Sequence, residues 1–214
     1  LIYEFGNRNK PLGNFDQKLW NDFQPNWKQV RSIACAEVIH AKQECGCVDA
    51  LWTRFNDLPI AVITADCVPL LLHQKDFKAV AAIHAGWEGT LQRIVPHFFN
   101  HLPQDLAQPA DWIVRIGPSI RACCYEFGLD LIEKFKDVFP GITPTLLTPT
   151  PRHLDLIAIL KHELSILGVK IESVDPRCTY CSQDEAEGRE VPEFFSYRRG
   201  DRNSRQYSIV MKTK

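Results

Sequence analysis

Apolar runs separated by short polar breaks organise most of this chain. Ser32–Ile39, Pro59–Ala65, Pro69–His73, Lys78–His84, Trp112–Ile116, Val169–Val174 and Gln206–Met211 are rich in Val, Ile, Ala and Leu. They show little polar alternation, which predicts strands buried on both faces. Elsewhere the period changes. Trp87, Leu91, Ile94, Val95, Phe98 and Phe99 recur at helical spacing, with Thr90 placed to cap the start. A second helix is expected over Leu129–Phe139, stopped by Pro140 and Gly141. Leu156, Ile157, Leu160, Leu164 and Leu167 form the clearest stripe, with Asp155 at its start and Gly168 just past its end.

Two regions lack such order. Residues 1–30 are polar and read as irregular, with room for one short helix; residues 183–193 are acidic and read as a surface loop. No repeat or low-complexity tract is present. Strands and helices do not alternate strictly, so the expected class is α+β rather than doubly wound. We expect one domain over residues 1–214, with a substantial mixed sheet and helices outside it.

Composition narrows the function classes. The 214 residues are 45% hydrophobic and 24% charged, as in ordinary soluble proteins. Formal net charge is −1 and no block of like charge stands out, which argues against nucleic acid or an anionic membrane as partner. Asp66 and His73 interrupt the longest apolar region, and LIYEFGNRNK lacks the apolar core of a secretory signal. The expected compartment is the cytoplasm. Eight cysteines could form a disulfide framework, but a chain this large and apolar does not need one, so reduced thiols are expected.

Candidate chemistry centres on AVITADCVPLLLHQKDFKAVAAIHAGWEGT, residues 61–90. Cys67 and His84 each sit where an apolar run ends, in the positions where scaffolds tend to place function. Thiolate and imidazole are preferred ligands of zinc and copper, and together they also make a nucleophile–base pair. The residues themselves leave both readings open. Asp66 adjoins Cys67 and would be costly to bury without a partner. Small residues beside His84 in HAGW allow close approach to the backbone. His40 ends another apolar run and would complete a His–Cys–His set with a fourth position open, as catalytic zinc requires.

Other motifs carry weaker signals. Cys178 and Cys181 have the spacing of half a structural zinc site. The matching second half is missing from the sequence, since Cys45 and Cys47 are too tightly spaced and adjacent Cys123 and Cys124 are not expected to chelate one ion. Arg198 and Arg199, in FFSYRRG, offer rigid forks for phosphate or carboxylate, or else surface ion pairs. Glu126, in CCYEFG, is an acid/base candidate or a capping residue.

In this order TADCVPLLL, HAGWEGTL, IGPSIRACCYEFG and CTYC…FFSYRRGD resemble the YfiH-like laccase-domain family, also called polyphenol oxidoreductase and purine nucleoside phosphorylase. The likeness runs from about His40 to the C-terminus. The chain departs from it in reading VIH at His40 and Ser119 where Cys is common. The resemblance implies a mixed-sheet sandwich similar to that of cysteine-hydrolase-like toxins. It implies zinc on His40, Cys67 and His84. Beside it, the residues themselves are read as Cys67, His84 and Asp66 catalytic, and Arg198, Arg199 and Glu126 at the substrate. The resemblance further implies phosphorolysis of adenosine, inosine or methylthioadenosine, with adenosine deamination as a companion activity. A homodimer is compatible with it. Copper is an alternative occupant, because copper outcompetes zinc at many nitrogen/sulfur sites. Multicopper oxidase chemistry is not expected, since seven histidines, most on expected helices or loops, are a poor source for its imidazole clusters. The rival function is a metal-free cysteine hydrolase or amidase using Cys67 and His84, acting on cell-wall precursors. A non-catalytic metal- or ligand-binding module is the third.

Overall fold

The computed structural model describes residues 1–14, 33–35, 48–186 and 189–214. Along the chain the strands are β1 (Ile2–Phe5), β2 (Ile33–Cys35), β3 (Ala50–Thr53), β4 (Ile60–Thr64), β5 (Val68–Gln74), β6 (Val80–Ala85), β7 (Trp112–Ile116), β8 (Lys170–Val174), β9 (Gln183–Ala186), β10 (Arg189–Pro192) and β11 (Gln206–Met211). The helices are α1 (Trp87–Leu91), α2 (Ile94–His101), α3 (Leu129–Val138), α4 (Pro144–Leu147) and α5 (Leu156–Leu167).

A six-stranded mixed sheet runs β2-β3-β6-β5-β7-β8, with its outer pairs parallel and the rest antiparallel. A three-stranded antiparallel sheet, β1-β11-β4, packs against one face. The apolar runs explain this layering, because their alternate residues serve two cores. Val68, Leu70 and Leu72 of β5 join the helices in one core, while Leu71 turns to the core between the sheets. In β6, Ala81, Ile83 and Ala85 face the helices and Val80 and Ala82 face the second sheet. The result is an α+β sandwich with helices on one outer face, the expected class.

Several local expectations needed correction. The apolar stripe from Trp87 to Phe99 is two helices, not one. Arg93 between them adopts φ 63°, and Pro96 lies in the first turn of α2. A continuous helix would set the Pro96 ring against the Gln92 carbonyl, so the break is enforced locally. Thr90 is therefore inside α1 rather than capping it, and its buried hydroxyl has no partner among the described residues. β1 forms within the stretch read as irregular, and β9 and β10 form a hairpin within the stretch read as a loop. β8 is an edge strand with Lys170, Glu172 and Ser173 exposed, not buried on both faces. Helix α5 matches its signals, with Asp155 accepting from the Ala158 N–H at 3.0 Å and Gly168 ending the helix at φ 75°.

Candidate functional site

Between β4 and β5 the chain crosses from the small sheet to the large one, and Cys67 lies in that crossing. The preceding Asp66 holds φ 99°, a conformation that non-glycine residues rarely adopt. Three separate segments pin it. The Ile120 N–H donates to its carbonyl at 2.8 Å, the Thr179 hydroxyl to Oδ1 at 2.7 Å and the Arg198 N–H to Oδ2 at 2.7 Å. The buried carboxylate is thus fully partnered, as its burial demands. Its oxygens are occupied, so Asp66 fixes the turn that presents Cys67.

His84, near the end of β6, lies opposite Pro69 in the neighbouring strand. Its Nδ1 is 3.0 Å from the Asp49 Oδ1, and its backbone N–H donates to the Asp49 carbonyl at 2.7 Å. A carboxylate at Nδ1 keeps a proton there, which makes Nε2 the nitrogen that a metal ion would take up. Burial pulls the His84 pKa down, but the neighbouring Cys67 and Asp49 outweigh it and carry it up to about 10. The second Asp49 oxygen is buried with no partner among the described residues.

Gly86 supplies the space between these groups. A Cβ there would lie 3.1 Å from the Cys67 Sγ, 3.4 Å from the His84 Cε1 and 3.8 Å from Nε2. The missing side chain leaves a cradle onto which a thiol and an imidazole converge. That donor set fits a zinc or copper ion. The third ligand expected from the sequence, His40, lies outside the described residues, as do Cys45 and Cys47.

A cleft of about 450 Å³ opens above Cys67 and His84. Trp87, Tyr125, Phe127 and Tyr197 give it aromatic walls, and Arg198 and Arg205 line it with cationic groups. Its size and lining are typical of small-molecule sites. Burial, reinforced by Cys67 and Asp66 and opposed by Arg198, holds the Tyr125 phenol well above its usual range, so it keeps its proton. The Arg198 guanidinium lies 5.2 Å from the Tyr125 ring and 5.3 Å from that of Phe127, and donates to the Glu126 carbonyl at 2.8 Å.

Glu126 and Arg199 are placed differently from Arg198. The Glu126 carboxylate is exposed and pairs with Arg152 at 3.1 Å. Arg199 donates to the carbonyls of Thr179, Tyr180 and Phe194 and pairs with Asp201 at 2.7 Å. Neither lines the cleft. A larger cleft of about 820 Å³ lies between Tyr3, His73, Arg115 and Glu172, with the Tyr3 hydroxyl hydrogen-bonded to the His73 Nδ1 and no cysteine in its lining.

A second cluster contradicts the expectation that the Cys178–Cys181 half-site has no mate. The sulfurs of Cys123, Cys124, Cys178 and Cys181 all lie within 4.8 Å of one another, an arrangement able to hold a metal ion. Cys67, Cys123, Cys124, Cys178 and Cys181 are free thiols. Sequence reasoning also missed Asp49 and the aromatic walls. Asp49 carried only a faint signal, a lone carboxylate beside the apolar run ALWT. Among the described residues the only group of three or more candidate metal ligands is that cysteine cluster.

Comparison with known proteins agrees with this architecture. The chain is 34% identical over 166 residues to a purine nucleoside phosphorylase of Clostridium acetobutylicum, a match covering 77% of this chain and 66% of that protein. It is 33% identical over 162 residues to adenosine deaminase RL5 of an unknown prokaryotic organism, covering 73% of this chain and 59% of that one. The chain thus spans less than two thirds of the length of these relatives. The hypothetical protein YfiH of Bacillus licheniformis has the same fold, with a TM-score of 0.70, 24% identity and coverage of 90% of this chain and 74% of that one. Residues 17–213 match the family described as multi-copper polyphenol oxidoreductase laccase. With TADC and HAGW meeting at one cleft in the YfiH fold, this chain belongs to that family.

Proposed function

We propose that the chain is a metal-dependent purine nucleoside phosphorylase, working as a single cytoplasmic domain. The observation that carries this reading is the placement of Cys67 and His84 side by side beneath an aromatic-walled cleft. Related proteins named for nucleoside phosphorolysis and deamination support it. Zinc would be held by Cys67, His84 and His40, with copper as a competing occupant. When bound it supplies a Lewis acid that polarises oxygen ligands.

The chain's own residues do the rest. Trp87, Tyr125, Phe127 and Tyr197 enclose a flat purine against their rings. Arg198 and Arg205, at the same cleft, neutralise phosphate. Phosphate oxygen attacks the sugar C1′ while the bond from C1′ to the base nitrogen breaks, giving pentose 1-phosphate. The departing base takes up a proton. We assign Tyr125, which holds its proton, to hydrogen-bond the departing nitrogen, with the transferred proton coming from water. Asp49 holds His84, Asp66 holds the Cys67 turn, and Arg199 and Glu126 act by positioning the loop and Arg198.

The test is phosphate-dependent release of free base from adenosine, inosine and methylthioadenosine by zinc-loaded protein. Cys67→Ala should reduce it to background with the melting temperature nearly unchanged. Full activity in that variant would sink the assignment. Deaminase and phenol oxidase assays on the same samples measure the companion activities.

A second reading rests on the polarity of the pair. The pKa of His84, carried up to about 10 against its burial by Cys67 and Asp49, describes an imidazolium beside the Cys67 sulfur. A cationic imidazole next to a cysteine is the setting that activates a cysteine nucleophile. Rapid alkylation of metal-free protein, with hydrolysis of an amide substrate lost in step, would favour this reading over phosphorolysis.

A further inference from the structure

We propose that Cys123, Cys124, Cys178 and Cys181 form a closed tetrathiolate site for one zinc-class ion, bracing the wall of the cleft. This is independent of the reading given to Cys67 and His84.

The distances carry the argument. All four sulfurs fall within 4.8 Å of one another, and Cys123 and Cys181 are 3.8 Å apart. A tetrahedron of metal–sulfur bonds about 2.3 Å long has edges of about 3.8 Å. The set therefore matches the coordination sphere of a single ion. A polynuclear cluster would spread its thiolates further, because several metal atoms must fit between them. A disulfide needs sulfurs about 2.05 Å apart, far closer than these. Soft, all-sulfur, tetrahedral donors select zinc or iron over hard cations.

The backbone explains how adjacent cysteines share one ion. In an extended strand Cys123 and Cys124 would point to opposite faces. Here they lie in a turn closed by the Cys124 N–H donating to the Arg121 carbonyl at 2.9 Å, which brings both thiols to one side. The opposing loop is equally ordered. Cys178 donates its N–H to the Ser182 hydroxyl at 3.0 Å, and the Ser182 N–H donates to the Cys178 carbonyl at 2.9 Å. The Arg121 N–H donates to the Cys178 Sγ at 3.4 Å, joining the two halves. Such N–H···S contacts are the outer support that a metal thiolate uses. Simple burial does not account for the group, since Cys123 and Cys181 are exposed.

The site is wired to the cleft. Thr179, between the two loop cysteines, donates to the Asp66 carboxylate beside Cys67. Tyr125, next to Cys124, lines the cleft. One ion would thus fix two walls of the pocket through its four ligands.

The test uses full-length, reduced protein, zinc titration with intact-mass detection, and cobalt spectroscopy. Cys67→Ala should retain one zinc, and cobalt in its place should give strong sulfur-to-cobalt charge-transfer bands. Cys123→Ser/Cys181→Ser, altering the two exposed ligands and checked for unchanged circular dichroism, should lose that zinc and those bands. The reverse pattern, metal lost in Cys67→Ala and kept in Cys123→Ser/Cys181→Ser, overturns the proposal while leaving the first centre standing. A Cys123–Cys181 disulfide surviving in reductant would overturn it too.

Discussion

The molecule carries two groups of thiols that differ in almost every surrounding. Cys67 sits between two sheets, beside a half-buried imidazole and beneath a cleft with aromatic walls. Cys123, Cys124, Cys178 and Cys181 meet on two loops with only sulfur for company. The first set leaves space open at Gly86; the second offers four donors and leaves no position free. Metal sites divide the same way, with an open position for chemistry and a closed sphere for structure. The lesson is that a cysteine's role is set by what is left vacant around it, more than by the thiol.

That contrast can be broken most directly at Asp49, which supports only the open site. Asp49→Asn should weaken metal binding at Cys67 and His84 by about 10–100-fold, the usual cost of losing a carboxylate behind a ligating histidine. Zinc on the four-cysteine group should be unaffected, so competitive chelator titration should show one weakened site and one unchanged. Equal weakening of both would mean that the two centres are not separate.

Thr179 tests the link between them. Thr179→Val leaves one oxygen of the buried Asp66 without its donor, a loss of about 1–3 kcal/mol. In a chain of this size that corresponds to a melting temperature lower by roughly 2–4 °C per kcal/mol. The nucleoside KM should rise with it, because the Asp66 turn sets the floor of the cleft. An unchanged KM would uncouple the loop from the site.

The smallest effect concerns the loop entering the four-cysteine group. Arg177 beside Asp175 overcomes burial and holds that carboxyl below its ordinary range, and Arg177 also pairs with Glu193. Because the folded value is depressed, the stability contributed is present above the ordinary carboxylate pKa of about 3.9. It is lost as pH falls through the depressed value. Metal-free protein should therefore lose melting temperature over that acid range, and Asp175→Asn should lose less over the same range. Identical acid profiles would remove the clamp from the account.

Much of the fold was legible because its signals were local. Trp112–Ile116 and Gln206–Met211 are bounded as expected, since buried apolar runs have few alternatives. Asp155 and Gly168 framed α5 for the same reason. The errors have physical causes. Pro96 lay within an apolar helical stripe whose period concealed the break. Ile2–Phe5 is too short to stand out alone and is stabilised as a strand by pairing with Gln206–Met211. Strands β9 and β10 are largely polar, with Gln183, Glu185, Arg189 and Glu190 exposed, so hydrophobic pattern could not mark them.

The site was half legible. Cys67 and His84 announced themselves by chemistry at the ends of apolar runs. Asp49 and Tyr197 join them only through strand order and loop return, which no spacing encodes, whereas Trp87 follows His84 within HAGW. The four-cysteine group was missed because adjacent side chains normally diverge, and a turn at Arg121–Cys124 reversed that rule. His40 lies outside the described residues, so the third ligand remains a proposal.

The crossing of the chain between sheets has one more consequence. Ile63 and Thr64 belong to the small sheet and His84 to the large one, yet all line the same cleft. A ligand seated there touches both halves of the sandwich and acts as a rivet between layers otherwise joined mainly by greasy contact. Sliding of one layer over the other would tear the pocket apart, and occupancy resists that slip. Saturating ligand should slow amide exchange along Gln206–Met211, a strand that never touches it.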